Sequence, residues 1–149
     1  MVEQWIENPR VGGSIPLLGI LFKIFMNVSQ INFLIKLKNS AKYLVEEIFF
    51  VYNKNYDNIL SFLYKEGFIQ YFFLRNNKLV VGLRYFLGEN NLKGVIIISR
   101  PSFYKNIRYK DITKIKQTNN VVAVSTDAGI LNLYDCKKQK IGGKILFVC

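Results

Sequence analysis

The chain has 149 residues, of which 50% are hydrophobic and 15% aromatic, so it carries more apolar surface than a disordered chain does. It contains no histidine and only two cysteines, which together exclude the common zinc ligand sets, and the lack of histidine excludes the Ser–His and Cys–His catalytic arrangements. Twenty-one Lys and Arg against ten Asp and Glu give a formal charge of +11, which indicates a polyanionic partner: nucleic acid first, an anionic membrane surface second.

Residues 1–27 are predicted to form an N-terminal extension. Glu3 and Glu7 beside a single Arg10 do not match the arginine-rich, acid-poor transit peptide of an imported protein. The apolar run over residues 15–26 is too short to cross a bilayer, so no membrane span is expected. We expect the extension to pack on a neighbouring protein or on the domain itself, with a membrane-surface helix as the alternative.

Residues 28–88 are predicted to form a lobe with the order α-β-α-β-β, which serves mainly as a scaffold. Apolar spacing indicates two helices and three strands. The predicted elements are a helix over residues 28–43, a strand over 46–52, a second helix, and strands over 69–75 and 78–86.

Local signals define the ends of the elements in this lobe. Asn55 or Asp57 is expected to cap the second helix, and Gly67 is expected to follow its last residue. Asparagine tolerates positive φ, so Asn76 and Asn77 predict a tight hairpin between the last two strands. The buried face of the second helix is predicted to comprise Ile59, Leu60, Phe62 and Leu63.

Residues 89–149 are predicted to form a second, mostly β lobe with a short helix. The apolar residues 95–98 predict a strand buried on both faces, which brings Ser99-Arg100-Pro101 to its end. The densest basic and aromatic stretch of the chain follows, and such residues suit contacts to phosphates and unpaired bases. The stretch comprises Arg100, Tyr104, Lys105, Asn106, Arg108, Tyr109 and Lys110. The alternative is an exposed loop that is basic through composition alone.

A turn with two adjacent hydroxyl groups follows the next strand, in the sequence V-V-A-V-S-T-D-A-G over residues 121–129. The valines favour a buried strand. Ser125 and Thr126 supply hydroxyls, Asp127 favours an Asx-type turn, and Gly129 permits positive φ. Such a turn can present hydroxyls and backbone N–H groups to RNA. The alternative is a surface hairpin whose hydroxyls only satisfy the turn.

Short helices are predicted on either side of this turn. Residues 111–115 suggest a helical turn capped by Asp111. Asn132 is predicted to cap a helix that carries Asp135 at its third position and ends near residue 140. The lysines near the C-terminal end of that helix interact favourably with the helix dipole, and contact with RNA is the alternative role. They are Lys137, Lys138 and Lys140.

The chain closes on I-G-G at residues 141–143 and a last strand over 144–148. The glycine pair is expected to be a tight connection rather than a ligand site. Cys136 and Cys149 form no C-x-x-C motif and are expected to be reduced thiols rather than a disulfide.

Four of these segments, in this order and at these separations, resemble the small-subunit ribosomal protein S8 family. They are E-G-F-I at residues 66–69, S-R-P at 99–101, the S-T-x-x-G turn at 125–129 and G-G at 142–143. The resemblance covers residues 31–149. It implies a two-lobe α+β fold and a structural small-subunit protein that binds a central-domain rRNA helix through its C-terminal lobe, beside neighbouring ribosomal proteins. It implies a role in subunit assembly and translation, and no enzymatic activity, cofactor, metal or small-molecule substrate.

The resemblance also implies which residues contact RNA. The basic end of the family's first helix is similar to Lys36-Leu37-Lys38-Asn39, where simple solvation of the lysines is the alternative. The complete predicted RNA-binding set is Lys36, Lys38, Asn39, Arg100, Pro101, Tyr104, Lys105, Asn106, Ser125, Thr126, Asp127, Gly129, Lys137 and Lys138.

The chain departs from the family pattern at four positions in these segments. Asp127 stands where serine is usual, Ser102 where glycine is common, and Asn106 where tyrosine is frequent. Lys144 stands where the family usually has glutamate, which adds positive charge at the edge of the second lobe.

Other functions follow from the same residues. A free RNA-binding regulator of messenger RNA would keep the fold, and an enzyme would require Asp127 and Asp135 to hold a magnesium ion. The many Ile, Asn, Lys, Phe and Tyr residues are typical of an A+T-rich genome. With the absence of a transit-peptide pattern, they predict an organelle-encoded protein of a mitochondrial ribosome, with a plastid or an A+T-rich bacterium as alternatives.

Overall fold

The computed structural model describes residues 26–116 and 118–149, which fall into two compact units. One unit comprises residues 32–94, and the other comprises residues 26–31 and 95–149. Residues 1–25 of the predicted N-terminal extension, which include most of its apolar run, lie outside the described residues. No helix within residues 26–116 or 118–149 is both long and apolar enough to cross a membrane.

The first part of the chain follows the predicted order α-β-α-β-β. Its elements are α1 (Val28–Lys42), β1 (Glu47–Val51), α2 (Asp57–Lys65), β2 (Ile69–Arg75) and β3 (Lys78–Leu83). The three strands form an antiparallel sheet in the order β1-β3-β2. Asn76 and Asn77 have φ values of 49° and 61°, which confirms the tight hairpin between β2 and β3.

The apolar face of α2 is buried as predicted, through Ile59, Leu60, Phe62 and Leu63. Gly67 has φ of +80° and follows the helix, with the Phe68 N–H bonded to the Leu63 carbonyl oxygen at 2.9 Å. The predicted cap was wrong. Asn53 instead caps a single 3-10 turn, Lys54–Tyr56, which leads directly into α2, so neither Asn55 nor Asp57 acts as the cap.

The second part of the chain is mostly β structure with short helices, in agreement with the predicted α+β class. Its elements are β4 (Ile96–Ile97), β5 (Lys105–Ile107), α3 (Tyr109–Lys114), β6 (Val122–Thr126), β7 (Gly129–Asn132), α4 (Leu133–Gln139) and β8 (Gly143–Val148). The sheet has the order β4-β8-β6-β7, and β5 also pairs with β8. All pairings are antiparallel, and a small core lies under the sheet, built from Ile107, Ile112, Val124 and Cys136.

Two local predictions in this part were wrong. The strand expected over residues 95–98 covers only Ile96–Ile97, and Ile96 is 60% exposed because β4 lies at the edge of the sheet and pairs only with β8. Asp111 does not cap α3. The helix begins at Tyr109, with Arg108 as its N-cap residue, so Asp111 lies in the first turn.

Other predictions in this part are confirmed. The Asn132 side chain accepts a hydrogen bond from the Asp135 N–H at 2.7 Å and caps α4. The last strand, β8, follows the glycine pair as expected. Cys136 and Cys149 are both reduced thiols.

Candidate nucleic-acid interface

The hydroxyl-bearing turn is the tip of the β6–β7 hairpin. Thr126 pairs with Gly129, which leaves Asp127 and Ala128 as a two-residue loop, and Gly129 has φ of +107°. The Thr126 hydroxyl donates to the Gly129 carbonyl oxygen at 2.9 Å and accepts from the Ala128 N–H at 3.2 Å. Thr126 therefore forms the side-chain hydrogen bonds of the turn that the sequence suggested for Asp127, while Asp127 is exposed at the tip.

Strand pairing places Ser125 in a row with residues from two other strands. Lys144 in β8 lies opposite Ser125 in β6, and on the other side of β8 it lies opposite Asn106 in β5. Directly opposed residues in antiparallel strands extend from the same face of a sheet. We call Asn106, Lys144 and Ser125 the polar row. It joins the basic stretch and the hydroxyl turn, which lie far apart in the sequence.

Tyr104 extends the polar row toward the S-R-P segment. The Lys144 Nζ lies 3.9 Å from the centre of the Tyr104 ring, within the range of a cation–π contact. The Tyr104 hydroxyl donates to the carbonyl oxygen of Pro101. These contacts hold the aromatic ring and the ammonium group beside each other on the surface of the second unit.

The S-R-P segment is fixed to the sheet by its serine. Ser99 is fully buried, donates to the Ile145 carbonyl oxygen and accepts from the Lys105 N–H at 3.4 Å. Arg100 and Phe103 then exchange two backbone hydrogen bonds across a tight turn, at 2.8 and 3.0 Å. Ser99 is thus structural, whereas Arg100 and Pro101 are exposed.

The glycine pair lets β8 approach its neighbours closely. A Cβ atom on Gly143 would overlap the carbonyl oxygen of Ser125, and one on Gly142 would lie 2.5 Å from the carbonyl oxygen of Ile107. This confirms the expected tight connection. The pair therefore sets the position of β8, and with it Lys144, between β5 and β6.

The two lysines predicted on α4 belong to a different surface. Lys137 and Lys138 are exposed, and α4 packs through Cys136 against the core that contains Val124. Side chains alternate between the faces of a strand, so Ser125 extends from the opposite face to Val124. The structure therefore brings Asn106, Tyr104 and Ser125 together but does not add Lys137 or Lys138 to them.

The predicted basic end of α1 lies in the other unit. The Lys36 Nζ donates to the Phe49 carbonyl oxygen at 2.8 Å and lies 4.5 Å from the centre of the Phe50 ring. Lys36 is therefore bound to β1. Lys38 is partly buried and Asn39 is exposed.

Sequence reasoning omitted Lys144 from the RNA-binding set, although the strands place it at the centre of the polar row. The only sequence signal for Lys144 was that it replaces the glutamate usual at this position in the family. The two acids considered for a magnesium site lie in different elements. Asp135 is in the first turn of α4, and Asp127 is at the tip of the β6–β7 hairpin. Across residues 26–116 and 118–149, no group of three His, Cys, Asp or Glu residues could hold a metal ion.

Comparison with known proteins identifies similar chains. The model of the family described as Ribosomal protein S8 matches residues 30–149. Small ribosomal subunit protein uS8 of Carsonella ruddii (strain PV) is 32% identical over 126 residues, covering 80% of this chain and 95% of that protein. The uS8 protein of Wolbachia sp. subsp. Brugia malayi (strain TRS) is 28% identical over 123 residues, covering 77% and 91%. That of Persephonella marina (strain DSM 14350 / EX-H1) is 26% identical over 123 residues, covering 76% and 90%.

Proposed function

The chain belongs to the ribosomal protein S8 family of structural small-subunit proteins, and we propose that its second unit binds the central-domain helix of small-subunit rRNA. As a member of that family, it is a structural component of the ribosome and not an enzyme. The observation that carries the proposal is the polar row, because through Lys144 it joins two separately predicted RNA-binding segments, the basic stretch and the hydroxyl turn, on one face.

The proposed contacts divide by chemistry. The β6–β7 turn offers hydroxyls and backbone groups to the sugar and base edges of a widened minor groove. Ser125 is 8% exposed, so Thr126 and the backbone of the turn form the accessible part. Lys144, Lys105 and Arg100 supply charge to the phosphates, and Tyr104 offers a ring for stacking on an unpaired base.

We also propose the division of the chain into an extension (1–27), a scaffold lobe (28–88) and an RNA-binding lobe (89–149). The lysines and asparagine at the end of the first helix, and Lys137 with Lys138, would then contact RNA outside the polar row. The family membership favours a ribosomal role over a free regulator of messenger RNA.

We propose a mitochondrial ribosome as the setting, with the gene carried by the organelle. The A+T-rich type of composition supports this, with 12 Phe and 9 Tyr among 149 residues. Fractionation of cells that carry the tagged chain tests the location. Co-sedimentation with mitochondrial small subunits is expected, and recovery only from other ribosomes would contradict the location without affecting the family assignment.

The RNA-binding role is tested with the purified chain, a central-domain rRNA hairpin and a random RNA of equal length. The hairpin is expected to bind more tightly, with a steep loss of affinity as salt rises, because about 0.7–0.9 counterions are released per phosphate contacted. Equal binding of both RNAs, or affinity that does not depend on salt, would overturn the proposal.

A further inference from the structure

We propose that a cleft at the start of β6, distinct from the polar row, binds one unpaired nucleotide of RNA. The proposal rests on the RNA-binding function above and adds a second site to it. The cleft has a volume of about 320 Å³ and lies entirely in the second unit, between α3, residues 118–121 and α4. This volume is at the lower end of small-molecule sites in proteins, which suits a single nucleotide.

The floor of the cleft is apolar and continuous with the core of the second unit. Ile112 of α3 is 2% exposed and belongs to the core of the second unit. Val122 and Leu133 line the cleft and pack against that same core. A flat nucleobase can cover such a floor without burying an unpaired polar group of the protein.

The rim is polar and offers the groups that read a base. Thr118, Asn119 and Asn120 line the cleft and are exposed. A side-chain amide has both an acceptor and two donors, so it can pair with the hydrogen-bonding edge of an unpaired base.

Charge and aromatic surface complete the site. Lys116 and Lys137 are the charged residues that line the cleft, and both are positive. Tyr134 lies on the same rim and is 62% exposed, so its ring is available for stacking. An apolar floor, amides, two cations and an exposed ring together fit a base with its phosphate, and they do not fit a cationic or purely apolar ligand.

The position of the cleft separates it from the hydroxyl turn. Val122 begins β6 and Thr126 ends it, and a strand rises by about 3.3 Å per residue, so the two sites lie roughly 13 Å apart along β6. The cleft also explains how Lys137 could contact RNA although it lies away from the polar row.

The test uses the full chain labelled with ¹⁵N and titrated by NMR with adenosine monophosphate, uridine monophosphate or inorganic phosphate at constant ionic strength. We expect concentration-dependent shifts with the nucleotides at residues 118–122 and 133–134, and not with phosphate. The same shifts with phosphate alone, or nucleotide shifts confined to other residues, would overturn the proposal.

Variants locate the contacts. Tyr134→Ala and the double variant Asn119→Ala/Asn120→Ala are each expected to weaken nucleotide binding by about tenfold, since stacking and base-edge contacts are lost. Asn58→Ala removes an exposed amide from α2 and serves as the matched control with unchanged affinity. Equal affinity in all variants would contradict the assignment of the cleft.

The hairpin titration, run on the same preparation, separates this proposal from the proposed function. Specific hairpin binding without nucleotide shifts at the cleft would overturn only the cleft. Nucleotide shifts at the cleft without a preference for the hairpin would overturn only the rRNA assignment.

Discussion

Lys144 lies directly opposite Ser125 in the β6–β8 pairing, and its ammonium group is 3.9 Å from the centre of the Tyr104 ring. One side chain therefore contacts one of the two tyrosines of the basic stretch and lies beside the serine of the hydroxyl turn. A cation held over an aromatic ring restricts both groups. Lys144 thus places a positive charge beside both the Tyr104 ring and Ser125 in the proposed rRNA surface.

Lys144→Gln should lower affinity for the rRNA hairpin and reduce the slope of log affinity against log salt by about 0.7–0.9, because one phosphate contact is lost. The measurement is a titration over several salt concentrations. Lys78→Gln, at an exposed lysine of β3, is the control and should leave the slope unchanged. An unchanged slope in Lys144→Gln would remove this lysine from the RNA surface.

Gly143→Ala should lower the free energy of unfolding by about 1–3 kcal/mol, because the new methyl group would overlap the Ser125 carbonyl oxygen and force β6 and β8 apart. Urea unfolding followed by circular dichroism measures the loss. Gly94→Ala is the matched control, since no atom lies within 4 Å of a Cβ added there. Equal stability of the two variants would show that the close approach at Gly143 is not required.

Cys136 should resist alkylation in the folded protein. Burial, with a smaller effect of Asp135, raises the pKa of its thiol to about 11, and only the thiolate reacts. Between pH 7 and 9 we expect iodoacetamide to modify Cys149, which is partly exposed, well before Cys136. Peptide mass spectrometry measures both rates. In denaturant the two rates should converge, and rapid labelling of Cys136 in the native protein would contradict its burial.

Much of the fold could be predicted because its signals are local. The Asn76-Asn77 hairpin, Gly67 after α2 and the Asn132 cap each depend on a few adjacent residues, and each is confirmed. The cap lies at Asn53 rather than at Asn55 or Asp57 because a single 3-10 turn moves it upstream of the helix that the apolar pattern defines.

The arrangement of the site could not be predicted in the same way. Strand pairing is non-local, so nothing near Asn106 in the sequence indicates that it lies opposite Lys144 across β8. The same limit explains why Ile96 was wrongly predicted to be buried, since an apolar run does not reveal whether its strand is central or at an edge. The family pattern identified the segments, and the register of β8 identified which of them meet.

In the proposed complex, the β6–β7 turn reads the rRNA helix. The most direct measurement is the affinity of Ser125→Ala/Thr126→Ala for the central-domain hairpin and for random RNA, beside Thr126→Ser, which keeps the hydroxyl that donates to Gly129. With folding verified by circular dichroism, we predict a loss of about tenfold for the hairpin in the double variant, since each lost hydrogen bond contributes about 0.5–1.5 kcal/mol. Binding of random RNA should not change, and Thr126→Ser should bind the hairpin nearly as the native chain does. If the double variant binds the hairpin with native affinity, the turn does not read the rRNA helix. The loop over residues 100–110 would then be the candidate site.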